Sequence, residues 1–314
     1  RGRPPGAPCF WRGDRPLRIL VVGDVVGKPG RRAVRALLPA LRQEHHVDLV
    51  IANGENAAGG FGITLESARE FLECGVDVIT TGNHVWDHKD FIPHLDDELP
   101  VLRPHNYPPG VPGRGYIRKG NALVINLMGR TFMAAIDCPF RAADKILAEV
   151  EPKPPVIVVD FHGEATSEKQ AIGWYLDGRV SAVLGTHTHV GTVDARILPR
   201  GTAFVTDIGM VGPRDSIIGD DVQCPRANQT ASQHQQAEVE DGVAGQALLH
   251  AQLVRPQNRQ GKTDHQQREV GRQRGDADVE GRVHGLPGPR PGERLRPARR
   301  GQAGGEKEIL RQSG

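Results

Sequence analysis

The feature that most constrains this chain is an alternation, begun at Arg18, of short β-branched apolar runs with stretches of helical spacing. The apolar runs are Arg18 to Val22, Asp48 to Ala52, Val76 to Thr81, Ala122 to Leu127, Pro155 to Phe161, Ser181 to Leu184 and Thr202 to Thr206. They are too short and too uniformly apolar for half-exposed strands, and read as strands buried on both faces. Between them, Arg31 to Glu44, Leu65 to Cys74, Ala142 to Glu149 and Ser167 to Tyr175 carry apolar residues at helical spacing. Strands alternating with helices predict a layered α/β domain.

After Val222 the pattern stops. From Gln223 to Gly314 the chain has no Phe, Tyr or Trp, a single isoleucine (Ile309), and many Gln, Arg, Gly and Pro residues. That composition buries too little apolar surface to offset the entropy of ordering a chain. The expected organisation is therefore a disordered extension over 1–17, a folded domain over 18–221 and a low-complexity, disordered tail over 222–314. The abruptness of the change further suggests translation of the tail in the wrong reading frame of a GC-rich gene. Resequencing around the codon for Val222, with the mass of the protein, tests this.

Charge and cysteine content exclude several classes. Forty Lys and Arg against 38 Asp and Glu give a net charge of +2, so no polybasic surface for nucleic acid or membrane is expected. Cys9, Cys74, Cys138 and Cys224 are scattered with no C-x-x-C pair, against a disulfide framework or a thiolate zinc site. Arg1 to Leu17 has no apolar signal region, and no apolar run reaches the roughly 20 residues of a membrane span. A reducing cytoplasm and a small anionic ligand, recognised locally, fit this balance.

The chemistry lies at the ends of the strands. Asp24 follows the first run, Glu55 and Asn56 the second, Asn83 and His84 the third; His162 follows Asp160-Phe161, and His187 and His189 follow Gly185-Thr186. In open α/β sheets, ligands bind beyond the carboxyl ends of the strands, so residues distant in sequence can converge there. Taken singly, each has a blander reading. Gly-Asp and Gly-Asn pairs are ordinary turn chemistry, and an isolated histidine is usually a satisfied polar residue. Turns and core histidines do not, however, predict a ligand-type group after nearly every strand. His45, His46, His88, His94 and His105 lack that placement and read as surface or structural.

Imidazole, carboxylate and amide oxygen without thiolate suit Mn, Fe, Zn or Mg, and a carboxylate such as Glu55 can bridge two ions. In an extended His187-Thr188-His189 segment both imidazoles would lie on one side, each free to meet a different ion. Gly59 to Gly62 and the Pro-rich stretch Arg103 to Gly115 are candidates for shaping a pocket, with Arg103, Arg130 or Lys169 steering phosphate.

Five motifs carry a family resemblance: Gly23-Asp24-Val25-Val26-Gly27, Asn53-Gly54-Glu55-Asn56-Ala57-Ala58-Gly59-Gly60, Thr81-Gly82-Asn83-His84-Val85-Trp86-Asp87, Asp160 to Lys169, and Gly185-Thr186-His187-Thr188-His189-Val190. In that order and spacing, joined by Asp207-Ile208-Gly209-Met210 and Gly212-Pro213, they resemble the YmdB-like metallophosphoesterases over about residues 18–221. The resemblance implies a calcineurin-like four-layer α/β/β/α sandwich and a cytoplasmic bacterial phosphodiesterase of cyclic nucleotides, the 2′,3′-cyclic type being favoured. It also implies two divalent ions, Fe or Mn, and a homo-oligomer without membrane or stable nucleic-acid partners. Carried over, Asp24, Glu55, Asn56 and His189 surround one ion. Glu55, Asn83, His162 and His187 surround the other, with Glu55 bridging. The resemblance further implies that a metal-bridging hydroxide would attack phosphorus and that His84 would protonate the leaving oxygen.

Two departures from the wider superfamily stand out. The residue two after Asp24 is Val26 where the superfamily has His, and the bridging position is Glu55 where it has Asp; Asn56 fills the missing place, as in the YmdB-like branch. The helix and closing strands expected after Gly212-Pro213 are replaced by Gln/Arg-rich sequence, so the sandwich is expected to lack its closing C-terminal strands. Two other functions fit the same residues: a nucleotide-binding regulator with little turnover, and an inactive product of a disrupted frame.

Overall fold

The structure, a computed structural model, describes residues 17–221. Expectations for the N-terminal extension before Leu17, for the tail and for the closing strands fall outside the described residues. Leu17 itself is buried between the sheets.

Two sheets form the centre. The first is fully parallel, in the order β1 (Ile19–Val22), β3 (Leu49–Asn53), β4 (Val78–Thr80), β5 (Val101–Leu102), with β2 (Asp24–Val25) following β1 in the chain. The second contains β6 (Tyr116–Lys119), β7 (Ala122–Met128), β8 (Val156–His162), β9 (Ala182–Thr186), β10 (Arg196–Ile197) and β11 (Ala203–Val205). Its central strands β7, β8, β9 and β11 are parallel, while β6 and β10 close the edges antiparallel. A two-residue strand, β12 (Met210–Val211), returns to pair in parallel with β2.

Alternation along these strands assigns every face. Ile19, Leu49, Ile51, Val78 and Leu102 of the first sheet meet Ala122, Val124, Val156, Val158, Ala182 and Ala203 of the second in one core between the sheets. Their neighbours turn outward. Leu20, Val50, Ala52, Ile79 and Val101 pack under α1 (Gly27–Glu44) and α2 (Leu65–Cys74), in company with Val34, Leu38, Ala68 and Phe71. Leu123, Ile125, Ile157, Val159, Phe161, Val183 and Phe204 pack under α3 (Pro139–Glu149) and α4 (Thr166–Leu176), with Ile146 and Ile172. Three cores between four layers give the α/β/β/α sandwich, and explain why the strands read as unbroken apolar runs: both faces are dry.

The helices begin where local chemistry allows. Thr64 caps α2: its Oγ1 accepts from Ser67 N at 3.2 Å, while Ser67 Oγ accepts from Thr64 N at 2.9 Å. The first helix starts at Gly27, four residues before Arg31, because Pro29 falls in the first turn, where no backbone donor is needed. Arg31 then ties α1 to α2 through Glu70 at 2.7 Å and to the loop after β3 through the Ala57 carbonyl.

The inter-sheet core should be the most sensitive part of this scaffold. Ile51→Ala, at 1% exposure in that core, is expected to lower unfolding stability by about 2–5 kcal/mol. Urea titration reads this as a lower midpoint with an unchanged slope; a loss below about 1 kcal/mol would contradict the packing described.

Candidate metal centre

At the carboxyl ends of the parallel strands the inter-sheet core turns polar. The positions that continue its apolar stripe are Asn53, Thr80, Asn126, Asp160 and Thr186, all buried. Just beyond them come the residues singled out by sequence. Asp24 opens β2; Glu55 and Asn56 lie in the turn after β3; Asn83 and His84 begin a short 3-10 helix, Asn83–Trp86, after β4. His162 ends β8, and His187 and His189 lie in the loop after β9.

These residues converge into two groups that share one carboxylate. Ligand atoms of Glu55, His162 and His187 all lie within 4.8 Å of one another, as do those of Asp24, Glu55 and His189. His162 Nε2 is 3.0 Å from Glu55 Oε1, 3.0 Å from Asn83 Oδ1 and 3.0 Å from His187 Nδ1. His189 Nε2 is 3.9 Å from Asp24 Oδ1. Asp24 Oδ1 and Asn56 Oδ1 are buried acceptors without a hydrogen-bond partner. His84 stands at the margin: its backbone N–H donates to Glu55 Oε2 at 3.3 Å, and its ring Nδ1 meets Asp87 Oδ2 at 2.7 Å. Gly82 supplies the room, since a Cβ there would come within 2.2 Å of both Glu55 Oε2 and His162 Nε2.

His187 and His189 do part company as expected, one to each group, but not in extended backbone. Both have positive φ, 100° and 63°, so their divergence comes from a bent loop and not from strand alternation. Such backbone is costly for a non-glycine residue and persists only where the surroundings fix it. Here His187 N donates to Asp24 Oδ2 at 3.1 Å, and Thr188 is pinned through N at 3.1 Å and Oγ1 at 2.7 Å to Asp207 Oδ2.

Each of the three histidines has its second ring nitrogen occupied. His162 Nδ1 lies 3.0 Å from Thr186 Oγ1, whose hydroxyl donates to Asp160 Oδ1 at 2.8 Å. His187 Nε2 lies 3.0 Å from Glu164 Oε2, and His189 Nδ1 lies 2.9 Å from the Ile218 carbonyl. Acceptors at these positions hold a proton on the outer nitrogen and turn the inner nitrogen toward the cluster, as in histidine ligands of metal sites. Asp160 also accepts from Asn53 Nδ2 at 3.2 Å and from the Thr80 hydroxyl. One carboxylate thus braces four strands, β3, β4, β8 and β9, that present these groups.

The electrostatics mark a shortage of positive charge. Burial pushes Asp24 well above the usual carboxylate range, with the charges of Glu55 and Asp207 adding to the effect and His162 opposing it. Burial works against the charge of Glu55 as well, but the charge and hydrogen bond of His162 keep its pKa below the ordinary value. Burial likewise disfavours the charged form of His162, yet Glu55, then Asp24 and Asp160, outweigh it and raise its pKa to about 9. His187 is pushed down to about 4, first by burial and then by the positive charge of His162. Without other cations, the carboxylates thus retain a proton on His162. Buried carboxylates, inward imidazole nitrogens and two partnerless amide and carboxylate oxygens together fit divalent cations, and exclude none of the N/O-binding metals.

Sequence reasoning passed over Asp160, Thr186, Glu164 and Asp207 as site residues, although they sit inside the motifs quoted above. Their signal was a polar residue in a buried strand for Asp160 and Thr186, a carboxylate two residues from a histidine for Glu164, and a carboxylate just past a strand for Asp207. It also misjudged two cations. Lys169 is 1% exposed and pairs with Asp207 at 2.6 Å, beneath the His187-Thr188-His189 loop, so it has no free charge for phosphate. The Arg103 guanidinium donates to the carbonyls of Pro112 at 2.9 Å and Pro104 at 2.8 Å, holding the Pro-rich loop. His88, read as surface or structural, braces the loop after β3: its Nε2 meets the Phe61 carbonyl at 2.9 Å.

If Asp160 orients the cluster, Asp160→Ala should weaken binding of Mn2+ about 10- to 100-fold by isothermal titration, and binding at wild-type strength would contradict that role.

Comparison with known proteins agrees with this geometry. A model of the YmdB-like protein family matches residues 20–268, running past the change of composition after Val222. The 2′,3′-cyclic-nucleotide 2′-phosphodiesterase of Bacillus subtilis is 52% identical over 209 residues, 65% of this chain and 79% of that protein. Among solved structures, a hypothetical protein from Thermus thermophilus is 50% identical with a TM-score of 0.64, covering 69% of this chain and 85% of that one. A structure described as a novel phosphatase of Mycoplasma pneumoniae is 33% identical with a TM-score of 0.63, covering 70% of this chain and 82% of that one. With the family match spanning most of its length and the ligand-type residues gathered at the strand ends, this chain belongs to the YmdB-like protein family.

Proposed function

We propose that this protein is a phosphodiesterase that uses two divalent metal ions to open 2′,3′-cyclic nucleotides. The observation that carries the reading is the pair of donor groups sharing Glu55. In this assignment Asp24, Glu55, Asn56 and His189 hold one ion, and Glu55, Asn83, His162 and His187 hold the other. Fe or Mn is the favoured pair, as the resemblance to the YmdB-like metallophosphoesterases implies, and nitrogen and oxygen donors without thiolate suit both. Bound there, two such ions supply Lewis-acid stabilisation of the phosphoryl oxygens and an activated water for in-line displacement at phosphorus.

The chain's own residues supply the rest. Nε2 of His84 is the ring nitrogen available to the leaving oxygen, because Asp87 Oδ2 engages Nδ1 at 2.7 Å. The carboxylates of Asp24 and Glu55 place negative charge at the floor of the site, which opposes entry of a phosphodiester anion unless cations are present. The substrate class follows the Bacillus subtilis relative, whose name specifies 2′,3′-cyclic nucleotides. No helix among the described residues is long and apolar enough to cross a membrane. The cytoplasmic setting and homo-oligomeric assembly implied by the resemblance belong to the same proposal.

Purified protein supplied with Mn2+ should hydrolyse bis-p-nitrophenyl phosphate and 2′,3′-cyclic AMP. Glu55→Gln removes the shared charge and should lower both rates by more than about 100-fold, beyond the cost of losing one outer hydrogen-bond partner. Unchanged turnover in that variant refutes the assignment.

A further inference from the structure

Beside His84 the site displays an aromatic ring with no part in the chemistry so far described. Phe61 is 45% exposed, and its ring lies 4.9 Å from that of His84 at an interplanar angle of 63°. An exposed phenyl group loses favourable burial, so its display needs a mechanical support. The loop provides one. Asn56 Nδ2 donates to the Gly60 carbonyl at 2.9 Å, Gly60 N to the Asn56 carbonyl at 3.2 Å, and Ala58 N to the Gly62 carbonyl at 3.0 Å. His88 Nε2 fastens the Phe61 carbonyl itself at 2.9 Å. Gly62 turns the chain away with φ of 70°, and a Cβ there would come within 2.7 Å of the His88 ring. The ring is therefore held at the mouth of the centre by a loop of braced backbone, next to the group proposed to protonate the leaving oxygen.

We infer that Phe61 is the platform on which the nucleobase of a 2′,3′-cyclic nucleotide stacks, and that this stacking is what enforces cleavage at O2′, the bond that the name of the Bacillus subtilis relative specifies. The inference rests on the phosphodiesterase reading above. Its chemical basis is the connectivity of ribose. The base is attached at C1′, which is bonded to C2′, whereas C3′ lies one carbon farther away. With the base against Phe61 and the cyclic phosphate over the Glu55 cluster, the neighbouring His84 meets O2′ before O3′. Water oxygen then bonds to phosphorus, the P–O2′ bond breaks, and its electron pair stays on O2′, which takes a proton from His84 Nε2. The proton lost by water restores His84 over the cycle, and the product is a nucleoside 3′-monophosphate with a free 2′-hydroxyl. Aromatic stacking suits every base, so the platform sets regiochemistry without demanding one nucleotide.

The test compares wild type, Phe61→Ala and Phe61→Trp on 2′,3′-cyclic AMP with Mn2+, resolving 3′-AMP from 2′-AMP by chromatography or phosphorus NMR. Wild type should form 3′-AMP in large excess. Phe61→Ala should raise KM about 5- to 100-fold and increase the share of 2′-AMP, and Phe61→Trp should restore both. Glycerol 1,2-cyclic phosphate, which has no base, should lose far less in KM than the nucleotide does. An unchanged product ratio and KM in Phe61→Ala would overturn the inference, as would a loss confined to kcat that both substrates share, which would make Phe61 a support for His84 alone. If wild type cleaves bis-p-nitrophenyl phosphate but no cyclic nucleotide, the substrate reading fails first and the inference falls with it.

Discussion

The structure depends on concentrating negative charge where the two sheets meet. Asp24, Glu55, Asp160 and Asp207 are all at most 2% exposed. A buried carboxylate is expensive unless it is paired and hydrogen-bonded. Asp207 meets that condition through Lys169 and Thr188, whereas Asp160 has the hydrogen bonds of Asn53, Thr80 and Thr186 but no cation, and burial raises its pKa. Glu55 meets it through His162 and the His84 backbone N–H, and Asp24 does not. Asp24 keeps a partnerless oxygen, and both carboxylates draw the proton of His162 upward in pKa to about 9. Asp160 and Asp207 are supports, and Asp24 and Glu55 belong to the two donor groups.

Fold and site are joined by strand direction. Parallel pairing brings the carboxyl ends of β3, β4, β8 and β9 to the same rim, and the polar layer beneath it binds those ends to one another through Asp160. The returning strand β12 adds a further brace, since Met210 pairs with Asp24 and the Gly209 carbonyl accepts from Asp24 N at 3.1 Å. Geometry at the rim is thus set by elements on both sides of the sandwich. That placement on rigid strands is the condition for a metal site with reproducible donor positions.

Much of this was legible in the sequence because both faces of the central strands are dry. Unbroken runs such as Val156 to Val159 identify themselves, and the seven apolar strands and four helices lie where the patterns place them. The ligand-type residues were legible for a related reason: chance turns and core histidines would not set a donor group after nearly every buried strand. The two-residue strands β2, β5, β10 and β12 were not legible, since a pair of residues carries no period. Nor was the hairpin of β6 and β7 anticipated, although Gly120-Asn121 is a known turn signal. The outer partners were hidden more deeply. Asn53, Thr80, Asp160 and Thr186 share one layer only because two sheets face each other in register, which no local pattern encodes. The same limit explains Lys169 and Arg103: exposed phosphate-steering groups and buried structural cations have identical local sequence. The bend at His187 and His189 likewise comes from Asp24 and Asp207, distant residues that hold positive φ in place.

The central claim is that Glu55 stands between two cation sites. Anomalous diffraction from crystals of this chain grown with Mn2+ tests it most directly. Two anomalous peaks should appear, one between Glu55, His162 and His187 and one between Glu55, Asp24 and His189, with Glu55 in contact with both. A single peak, or peaks away from Glu55, would contradict the account.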